Sequence, residues 1–266
     1  MTYAEFLTVA SKAIDIAHDI FLTQNPGHLT AKGDRDMASE VDYAIERKLA
    51  AYLREKTPEI GFYGEEDGKQ GLSGDLTWTL DPIDGTVNFI HGSPLCGISL
   101  ALIHDRTPVL GVVDLPLLSL RYMAAKDSGA YCGQRRLGVS SAGALADAVV
   151  AIGDYAVGNE ATQKNAIRLR VTSRLATTVQ RVRMHGSAAI DLVWLAEGRI
   201  DGVVIMSNQP WDTAAGVIIA REAGALVVDQ DGMTHDSMSS ATIAANPKIL
   251  PELLTLVAEA VADGAS

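Results

Sequence analysis

The predicted elements change their rhythm once along the chain, and this change limits the possible folds more than any other feature. Between Leu95 and Leu137, short β-forming runs follow one another with turn residues between them, which predicts an antiparallel meander. After Gly138, β-forming runs alternate with helical stretches, as is typical of an α/β unit. We therefore expect an α+β N-terminal subdomain at residues 1–140 with an antiparallel sheet, followed by an α/β C-terminal subdomain at residues 141–266.

Two helical stretches precede the meander. Residues Met1–Thr23 carry apolar side chains at helical spacing with charges between them, which predicts an amphipathic helix and not a signal peptide. A second helix is expected at Ser39–Lys56. The polar segment Asn25–Asp36 between them predicts either a mobile lid or a solvated connector. No run is long and apolar enough to span a membrane, so we expect a soluble, cytoplasmic protein.

The overall charge limits the possible partners. The chain of 266 residues carries a net charge of −11, which argues against binding to nucleic acid or to an anionic membrane surface. An anionic substrate would need local metal ions or helix N-termini to overcome this field. Cys96 and Cys132 lie in apolar, strand-like surroundings without a CxxC spacing, which favours free thiols over a disulfide or a metal pair.

The stretch Trp78–Phe89 places two carboxylates beside a rigid turn. A strand is expected just before it, and Pro82 should stop the pairing, so that Asp81 lies at the strand end. Asp84 is a good N-cap for the segment that follows. Gly85 leaves its own N–H open to a ligand. The pattern predicts a site for a metal ion and a phosphate group.

Two carboxylates held this close repel each other unless a cation neutralises them. Carboxylates without a nearby cysteine or histidine cluster favour a hard ion, and Mg²⁺ typically takes one or two of them together with water and substrate phosphate. The alternative is an ordinary turn between a strand and a helix, in which Asp84 caps the helix and Asp81 is solvated.

Further acids and one small-residue run have an ordinary explanation beside a functional one. If the strands before Glu65 and before Asp81 pair, both side chains reach one sheet edge; otherwise Glu65 belongs to a charged hairpin tip. Asp42 can complement a helix dipole, and Asp212 can serve as an N-cap. The run Gly186–Ala189 can bind an anion at a helix start or provide close helix packing.

Together these signals resemble the inositol monophosphatase family, in the right order across almost the whole chain. The matching motifs are Gly64-Glu65-Glu66, Asp81-Pro82-Ile83-Asp84-Gly85-Thr86, Gly186-Ser187-Ala188-Ala189 and Trp211-Asp212 with Ala215-Gly216. The resemblance implies a layered α-β-α-β-α sandwich and a phosphatase of small phosphorylated substrates. It further implies two or three Mg²⁺ ions per active site, inhibition by lithium and a homodimer.

The resemblance also implies roles for individual residues. Glu65, Asp81 and the carbonyl of Ile83 would hold one Mg²⁺, and Asp81, Asp84 and Asp212 the second. Glu66 and, more weakly, the loop lysine Lys32 would support these ligands. The N–H groups of Gly85 and Thr86 would bind the phosphate. The Thr86 hydroxyl, paired with Asp42, would orient the attacking water. Gly186, Ser187 and Ala188 would line the pocket beside the alcohol portion of the substrate.

One departure from the family pattern leaves the substrate open. The segment Val203–Pro210 contains no acid where inositol phosphatases usually carry a glutamate that binds inositol hydroxyls. Ser207, Asn208 or Gln209 could replace that contact. Otherwise the same chemistry would act on histidinol phosphate, fructose 1,6-bisphosphate, a 3′-phosphoadenosine nucleotide or NADP. A third hypothesis is a catalytically silent, metal-binding scaffold, against which the intact acidic set argues.

Overall fold

The computed structural model of this protein describes residues 2–33, 36–71 and 74–263, with the backbone alone for Ala4 and Asp36. The helices in these ranges agree with the apolar spacing of the sequence. They are α1 (Tyr3–Thr23), α2 (Glu40–Lys56), α3 (Thr86–Ile90), α4 (Ala161–Thr178), α5 (Ala188–Ala196), α6 (Pro210–Glu222) and α7 (Leu250–Ala262). Among the helices within those ranges, none has the length and apolar character needed to cross a membrane.

The strands fall into a short hairpin and two larger sheets. The hairpin and the first sheet are formed by β1 (Leu29–Gly33), β2 (Asp36–Ser39), β3 (Gly61–Gly64), β4 (Lys69–Gln70), β5 (Leu76–Asp84), β6 (Gly97–His104), β7 (Thr107–Leu115), β8 (Leu120–Ala125), β9 (Ala130–Cys132) and β10 (Arg135–Arg136). The second sheet is formed by β11 (Val149–Ile152), β12 (Arg181–Arg183), β13 (Gly202–Ile205), β14 (Leu226–Val228) and β15 (Thr242–Ala245).

The first sheet has eight strands in the order β10-β9-β8-β7-β6-β5-β3-β4. Its pairs are antiparallel except for β3 and β5, which run parallel in a register that pairs Gly64 with Leu80. The antiparallel meander predicted from the turn spacing is therefore correct. The parallel pair has a separate consequence, because both of its strands end at the same edge and direct the following residues to one place.

The second sheet has five strands in the order β12-β11-β13-β15-β14. Strand β11 pairs in parallel with β12 and with β13, whereas β15 is antiparallel to β13 and to β14. Parallel neighbours require a crossover, and α4 and α5 supply it in this half of the chain. The alternation of strand and helix predicted after Gly138 is thus present in the structure.

Five layers follow from the way the helices cover both sheets. Helices α1 and α2 pack on one face of the first sheet, and α5 and α6 lie between the two sheets. Helices α4 and α7 cover the outer face of the second sheet. Each sheet is therefore shielded on both faces, which gives the predicted α-β-α-β-α sandwich. The division into subdomains at residue 140 stays a prediction.

The polar segment Asn25–Asp36, expected to be a loop or lid, contains structure that its composition did not indicate. Strand β1 pairs antiparallel with β2 from Leu29 opposite Ser39 onward, with an irregularity between Ala31 and Gly33. Part of the predicted loop therefore belongs to a two-stranded hairpin; its residues Asp34 and Arg35 lie outside the described part of the chain. Both cysteines are free thiols, as expected, and Cys96 is buried.

A bulge in β5 changes the predicted end of this strand. Asp81 lies opposite Ser99 and Asp84 lies opposite Gly97, so β5 carries one residue more than β6 over this interval. Pro82 was expected to stop the pairing, but it lies in the irregular interval and the ladder resumes at Asp84. Residues three apart on a regular strand point to opposite faces, and the extra residue brings the two aspartates back to one side.

Helix α6 packs so closely on the first sheet that one strand position is restricted to glycine. A Cβ placed on Gly111 in β7 would lie 2.6 Å from the carbonyl oxygen of Ala215 and 2.7 Å from its Cα. The Ser99 hydroxyl in β6 donates to the carbonyl of Trp211 at 3.1 Å, which fixes the beginning of the same helix. The sheet therefore sets the position of Asp212, which follows Trp211.

We expect Gly111→Ala to lower the free energy of unfolding by about 1–3 kcal/mol, because the added methyl group overlaps helix backbone. Urea denaturation of both proteins measures this difference. Gly138→Ala is the matched control, since a Cβ at Gly138 has no neighbour within 4 Å. Equal stability of the two variants would show that α6 can shift away from the sheet without cost.

Candidate active site

The edge where β3 and β5 end gathers three carboxylates from three elements. Glu65 follows β3, Asp81 lies in β5 and Asp212 lies in the first turn of α6. Their carboxylate oxygens lie within 4.8 Å of one another. The Glu65 N–H donates to the carbonyl of Leu80 at 3.2 Å, which holds the acidic loop against β5. This set of hard oxygen donors fits a divalent ion such as Mg²⁺.

The carboxylates of this cluster are held in an unfavourable environment. Burial and the neighbouring charges of Glu65, Asp84 and Asp212 raise the pKa of Asp81 well above its usual range. Burial together with Asp84 and Glu65 does the same to the pKa of Asp212. A bound cation removes this mutual repulsion. The electrostatics of the cluster thus agree with its donor chemistry.

Lys32 already partly neutralises the cluster. Its Nζ lies 2.6 Å from Glu65 Oε1 and 2.9 Å from Glu66 Oε1. Burial alone would lower the pKa of this lysine, but the two glutamates raise it above its ordinary value. Lys32 lies on β1, so the hairpin brings its positive charge to glutamates that lie about thirty residues further along the chain. The proximity of Lys32 and Glu66 to the site agrees with their predicted supporting positions.

The acidic loop is held by a residue that the sequence reasoning missed. The carboxylate of Glu46, buried on α2, accepts hydrogen bonds from the N–H groups of Glu66 and Asp67 at 2.9 and 2.7 Å. A Cβ on Gly64 would lie 2.2 Å from Glu46 Cδ, so a side chain there would displace the Glu46 carboxylate from these hydrogen bonds. The signal was present in the sequence, because an acid four residues after Asp42 on the apolar face of a helix requires a partner.

Asp84 does not cap the segment that follows it, contrary to the prediction. The N-cap of α3 is Gly85, in the left-handed conformation with φ 87°, and α3 has only five residues. The Asp84 carboxylate turns instead to the start of α5, where it accepts hydrogen bonds from Ser187 Oγ and from the N–H of Ala189 at 2.7 Å. Burial raises the pKa of Asp84, and the hydrogen bonds from Ser187 and Ala189 only partly oppose this rise.

Asp42 and Thr86 lie near the acids but are not paired with each other. The Thr86 hydroxyl donates to the Ile83 carbonyl at 3.0 Å. Asp42 Oδ2 accepts from the N–H and hydroxyl of Ser39, which begins α2, at 2.8 and 2.6 Å. Asp42 Oδ1 is buried and has no hydrogen-bond partner in the described part of the chain. Burial raises the pKa of Asp42 to about 6.

Asp212 is the third residue of α6 and not its N-cap, which is Gln209. Pro210 occupies the first helical position, where its missing N–H has no cost. The ring of Trp211 contacts Tyr63 edge to face, with centroids 5.0 Å apart, so α6 also packs against β3. N-capping therefore does not explain Asp212, and its proximity to Glu65 and Asp81 does.

A cavity of about 480 Å³ opens beside the acidic cluster and contains the predicted alcohol side of the site. Its lining includes Asp84, Asp212 and the run Gly186–Ala188. Of the three candidates for a hydroxyl contact, Ser207 and Gln209 line the cavity. The third, Asn208, is used elsewhere: its side chain bonds to His235 Nε2, to the Ser239 carbonyl and to the Thr242 hydroxyl.

Other contacts near the cavity were also missed. Asn88 Nδ2 donates to the carbonyls of Leu95 and His185 at 2.8 and 2.7 Å, which ties α3 to the segment before α5. His185 Nδ1 lies 2.5 Å from Asp191 Oδ1 inside α5. Asn88 and His185 are 97 residues apart in sequence, so no local pattern links them.

Comparisons with known proteins identify the family of this chain. The model of the inositol monophosphatase family matches residues 2–263. The probable inositol 1-monophosphatase ImpA of Mycobacterium tuberculosis is 34% identical over 258 residues, which cover 96% of this chain and 94% of the relative. The fructose-1,6-bisphosphatase/inositol-1-monophosphatase of Thermotoga maritima is 35% identical over 229 residues, which cover 86% and 85%.

A solved structure shares the architecture over almost its full length. The IMPase of Thermotoga maritima superimposes with a TM-score of 0.88 at 30% identity, covering 98% of this chain and 99% of that one.

We expect Ser187→Ala to lower the free energy of unfolding by about 1–3 kcal/mol, because it removes both the N-cap of α5 and a hydrogen bond to a buried carboxylate. The Ser187 hydroxyl accepts from the N–H of Ile190 at 3.2 Å and donates to Asp84. Urea denaturation measures the loss, and Ser187→Thr should retain most of the stability because it keeps the hydroxyl. An alanine variant as stable as the threonine variant would contradict this role.

His235, which holds Asn208, should make stability depend on pH. Burial and the nearby Arg221 lower the pKa of its imidazole from 6.5 to about 4. As pH falls from 6.5 towards 4, the unfolded chain binds a proton that the native state excludes, so the free energy of unfolding falls.

Between pH 7 and pH 5 this group should account for a loss of about 2 kcal/mol. Urea denaturation of wild type and His235→Gln at both pH values isolates the contribution, since the glutamine amide can replace Nε2 as an acceptor. An identical pH dependence of the two proteins would exclude the imidazole as its source.

Proposed function

This chain belongs to the inositol monophosphatase family and is a phosphoric monoester hydrolase; from this membership and its acidic cluster, we propose Mg²⁺-dependent hydrolysis of inositol monophosphate or a related small polyol phosphate. The observation that carries the proposal is the convergence of Glu65, Asp81 and Asp212 within 4.8 Å beside a cavity of about 480 Å³. Burial and, after it, neighbouring carboxylates raise the pKa values of Asp81 and Asp212, and a divalent ion would relieve the repulsion.

The proposed ligands of two or three Mg²⁺ ions are Glu65, Asp81, Asp84, Asp212 and the carbonyl of Ile83. When bound, such ions lower the pKa of a coordinated water and stabilise the charge of a phosphoryl group and a leaving oxygen. The protein's own contacts hold these ligand residues, since α5 donors fix Asp84 and the Glu46 contacts fix the loop after Glu65. This preorganisation supports rapid and selective binding.

The remaining proposed roles belong to groups around the same site. Gly85 and Thr86 are proposed to contact the phosphate, and Gly186, Ser187 and Ala188 the alcohol portion of the substrate. Asp42 has a buried acceptor atom without a partner in the described ranges, which suits a group that orients the attacking water together with Thr86. Lys32 and Glu66 are proposed to balance the charge of Glu65.

The same chemistry on another phosphate ester remains the alternative, for one specific reason. The segment Val203–Pro210 offers no carboxylate, and only Ser207 and Gln209 of its proposed replacements line the cavity. Histidinol phosphate, fructose 1,6-bisphosphate, a 3′-phosphoadenosine nucleotide and NADP are therefore retained. Lithium inhibition, a homodimer and a cytoplasmic location stay predictions, each derived from the family resemblance or the sequence.

Phosphate release with and without Mg²⁺ tests the proposal on a panel of these compounds and myo-inositol 1-phosphate. We expect turnover with Mg²⁺, its loss with EDTA and its recovery when Mg²⁺ is restored in excess. Asp81→Asn should lower kcat/KM at least ~100-fold, because the variant loses the charge of one proposed carboxylate ligand of Mg²⁺.

Asp147→Asn is the matched control, since Asp147 is exposed and does not line the cavity. Circular dichroism of each variant checks that the fold is intact. Phosphate release that persists unchanged in EDTA would overturn the metal dependence, and release from no compound by a folded protein would overturn the proposed activity.

A further inference from the structure

We propose that Asp154 recognises the alcohol portion of the substrate by accepting hydrogen bonds from hydroxyl groups of an uncharged polyol. This inference rests on the proposed phosphatase activity and narrows its substrate class to polyol monophosphates. Asp154 comes directly after Gly153, which follows β11, on a wall of the cavity that no motif of the sequence marked.

The position of Asp154 is next to the reactive end of the cavity. It lines the same cavity as Asp84 and Asp212. A Cβ built on Gly186 would lie 3.6 Å from Asp154 Oδ2, so this carboxylate approaches the turn that leads into Ser187 and the start of α5. A substrate whose phosphate lies at the acidic cluster would extend its alcohol portion towards this carboxylate.

The carboxylate of Asp154 is free to bind a ligand. Within residues 2–33, 36–71 and 74–263 it forms no hydrogen bond and no ion pair; the backbone carbonyl is the atom that Arg168 contacts, at 2.9 Å from Nη1. Asp154 is an exposed residue on the cavity wall, so its carboxylate keeps its acceptor capacity for a donor that enters from solvent. Hydroxyl groups are such donors.

Helix α4 holds the loop that carries Asp154 in one conformation. Besides the Arg168 contact, Asn165 Oδ1 accepts from the N–H of Ala156 at 2.6 Å, and Asn165 Nδ2 donates to the Ala156 carbonyl at 2.9 Å. The Tyr155 hydroxyl bonds to the Thr172 hydroxyl at 3.1 Å. A loop fixed on three consecutive residues presents its carboxylate in a defined position, which lowers the entropic cost of binding.

The charges around Asp154 favour an uncharged group over a second phosphate. Burial raises the pKa of Asp154 and the nearby Arg168 opposes this rise, but Arg168 Nη1 bonds to the Asp154 backbone carbonyl, and no ion pair joins the two side chains in the described ranges. The other lining cation, Lys164, forms an ion pair with Glu160 at 3.1 Å, and Asp191 is bonded to His185. A second phosphate would meet the unpaired Asp154 carboxylate, whereas hydroxyl groups donate to it.

The test compares a substrate with hydroxyl groups and a substrate without them. For the wild type, Asp154→Ala and Asp154→Asn, kcat and KM are measured with Mg²⁺ on myo-inositol 1-phosphate and on p-nitrophenyl phosphate. We expect the ratio of the two kcat/KM values to fall at least ~10-fold in Asp154→Ala, mainly through KM for the inositol ester. Asp154→Asn keeps one acceptor oxygen and should fall less.

Asp147→Ala is the matched control and should leave the ratio unchanged. A ratio that stays within twofold in Asp154→Ala overturns the inference while the phosphatase activity stands. An alanine variant that gains activity on fructose 1,6-bisphosphate relative to inositol phosphate supports a repulsive role towards a second phosphate, and a wild type that prefers the bisphosphate overturns the substrate class. If the folded wild type hydrolyses another compound of the panel but not myo-inositol 1-phosphate, this inference fails alone; if it releases phosphate from no compound, the proposed function fails with it.

Discussion

The candidate active site depends on one unfavourable arrangement, the close approach of the buried or half-buried carboxylates of Glu65, Asp81 and Asp212. Bringing such groups within a few ångströms costs desolvation and repulsion, as the raised pKa values of Asp81 and Asp212 reflect. Nothing in the stability of a sandwich fold requires this cost. The surrounding elements hold these carboxylates close together and offset part of the cost.

The contacts that do this come from several layers of the sandwich. The parallel pairing of β3 with β5 brings Glu65 to the edge that Asp81 occupies, and the bulge at Pro82 and Ile83 turns Asp84 to the same side. The Ala189 N–H at the beginning of α5 then donates to the Asp84 carboxylate, where the helix dipole favours an anion. Contacts from several elements therefore fix the positions of these carboxylates.

The cavity beside the acids has walls of two kinds. The end at Asp84 and Asp212 is built from residues of the acidic motifs, whereas the wall formed by Asp154 and α4 belongs to a loop and a helix without such motifs. Loop residues presented by rigid elements change more readily than the core, so substrate preference can change there while the hydrolytic chemistry is retained.

The sequence alone determined what depends on local pattern. Apolar periodicity gave most helices and strands, and their order gave the antiparallel meander and the α/β half that follows it. The acidic motifs, through the family resemblance, implied the layered fold and the roles of Glu65, Asp81, Asp84 and Asp212. The tertiary structure alone decided which distant groups meet. Asp84 accepts from α5 instead of capping α3, Asn208 is hydrogen-bonded to His235, and Asp154 lines the cavity. These contacts join positions separated by about thirty to a hundred residues, and the free energy that selects them comes from packing of whole layers, which no short stretch of sequence encodes.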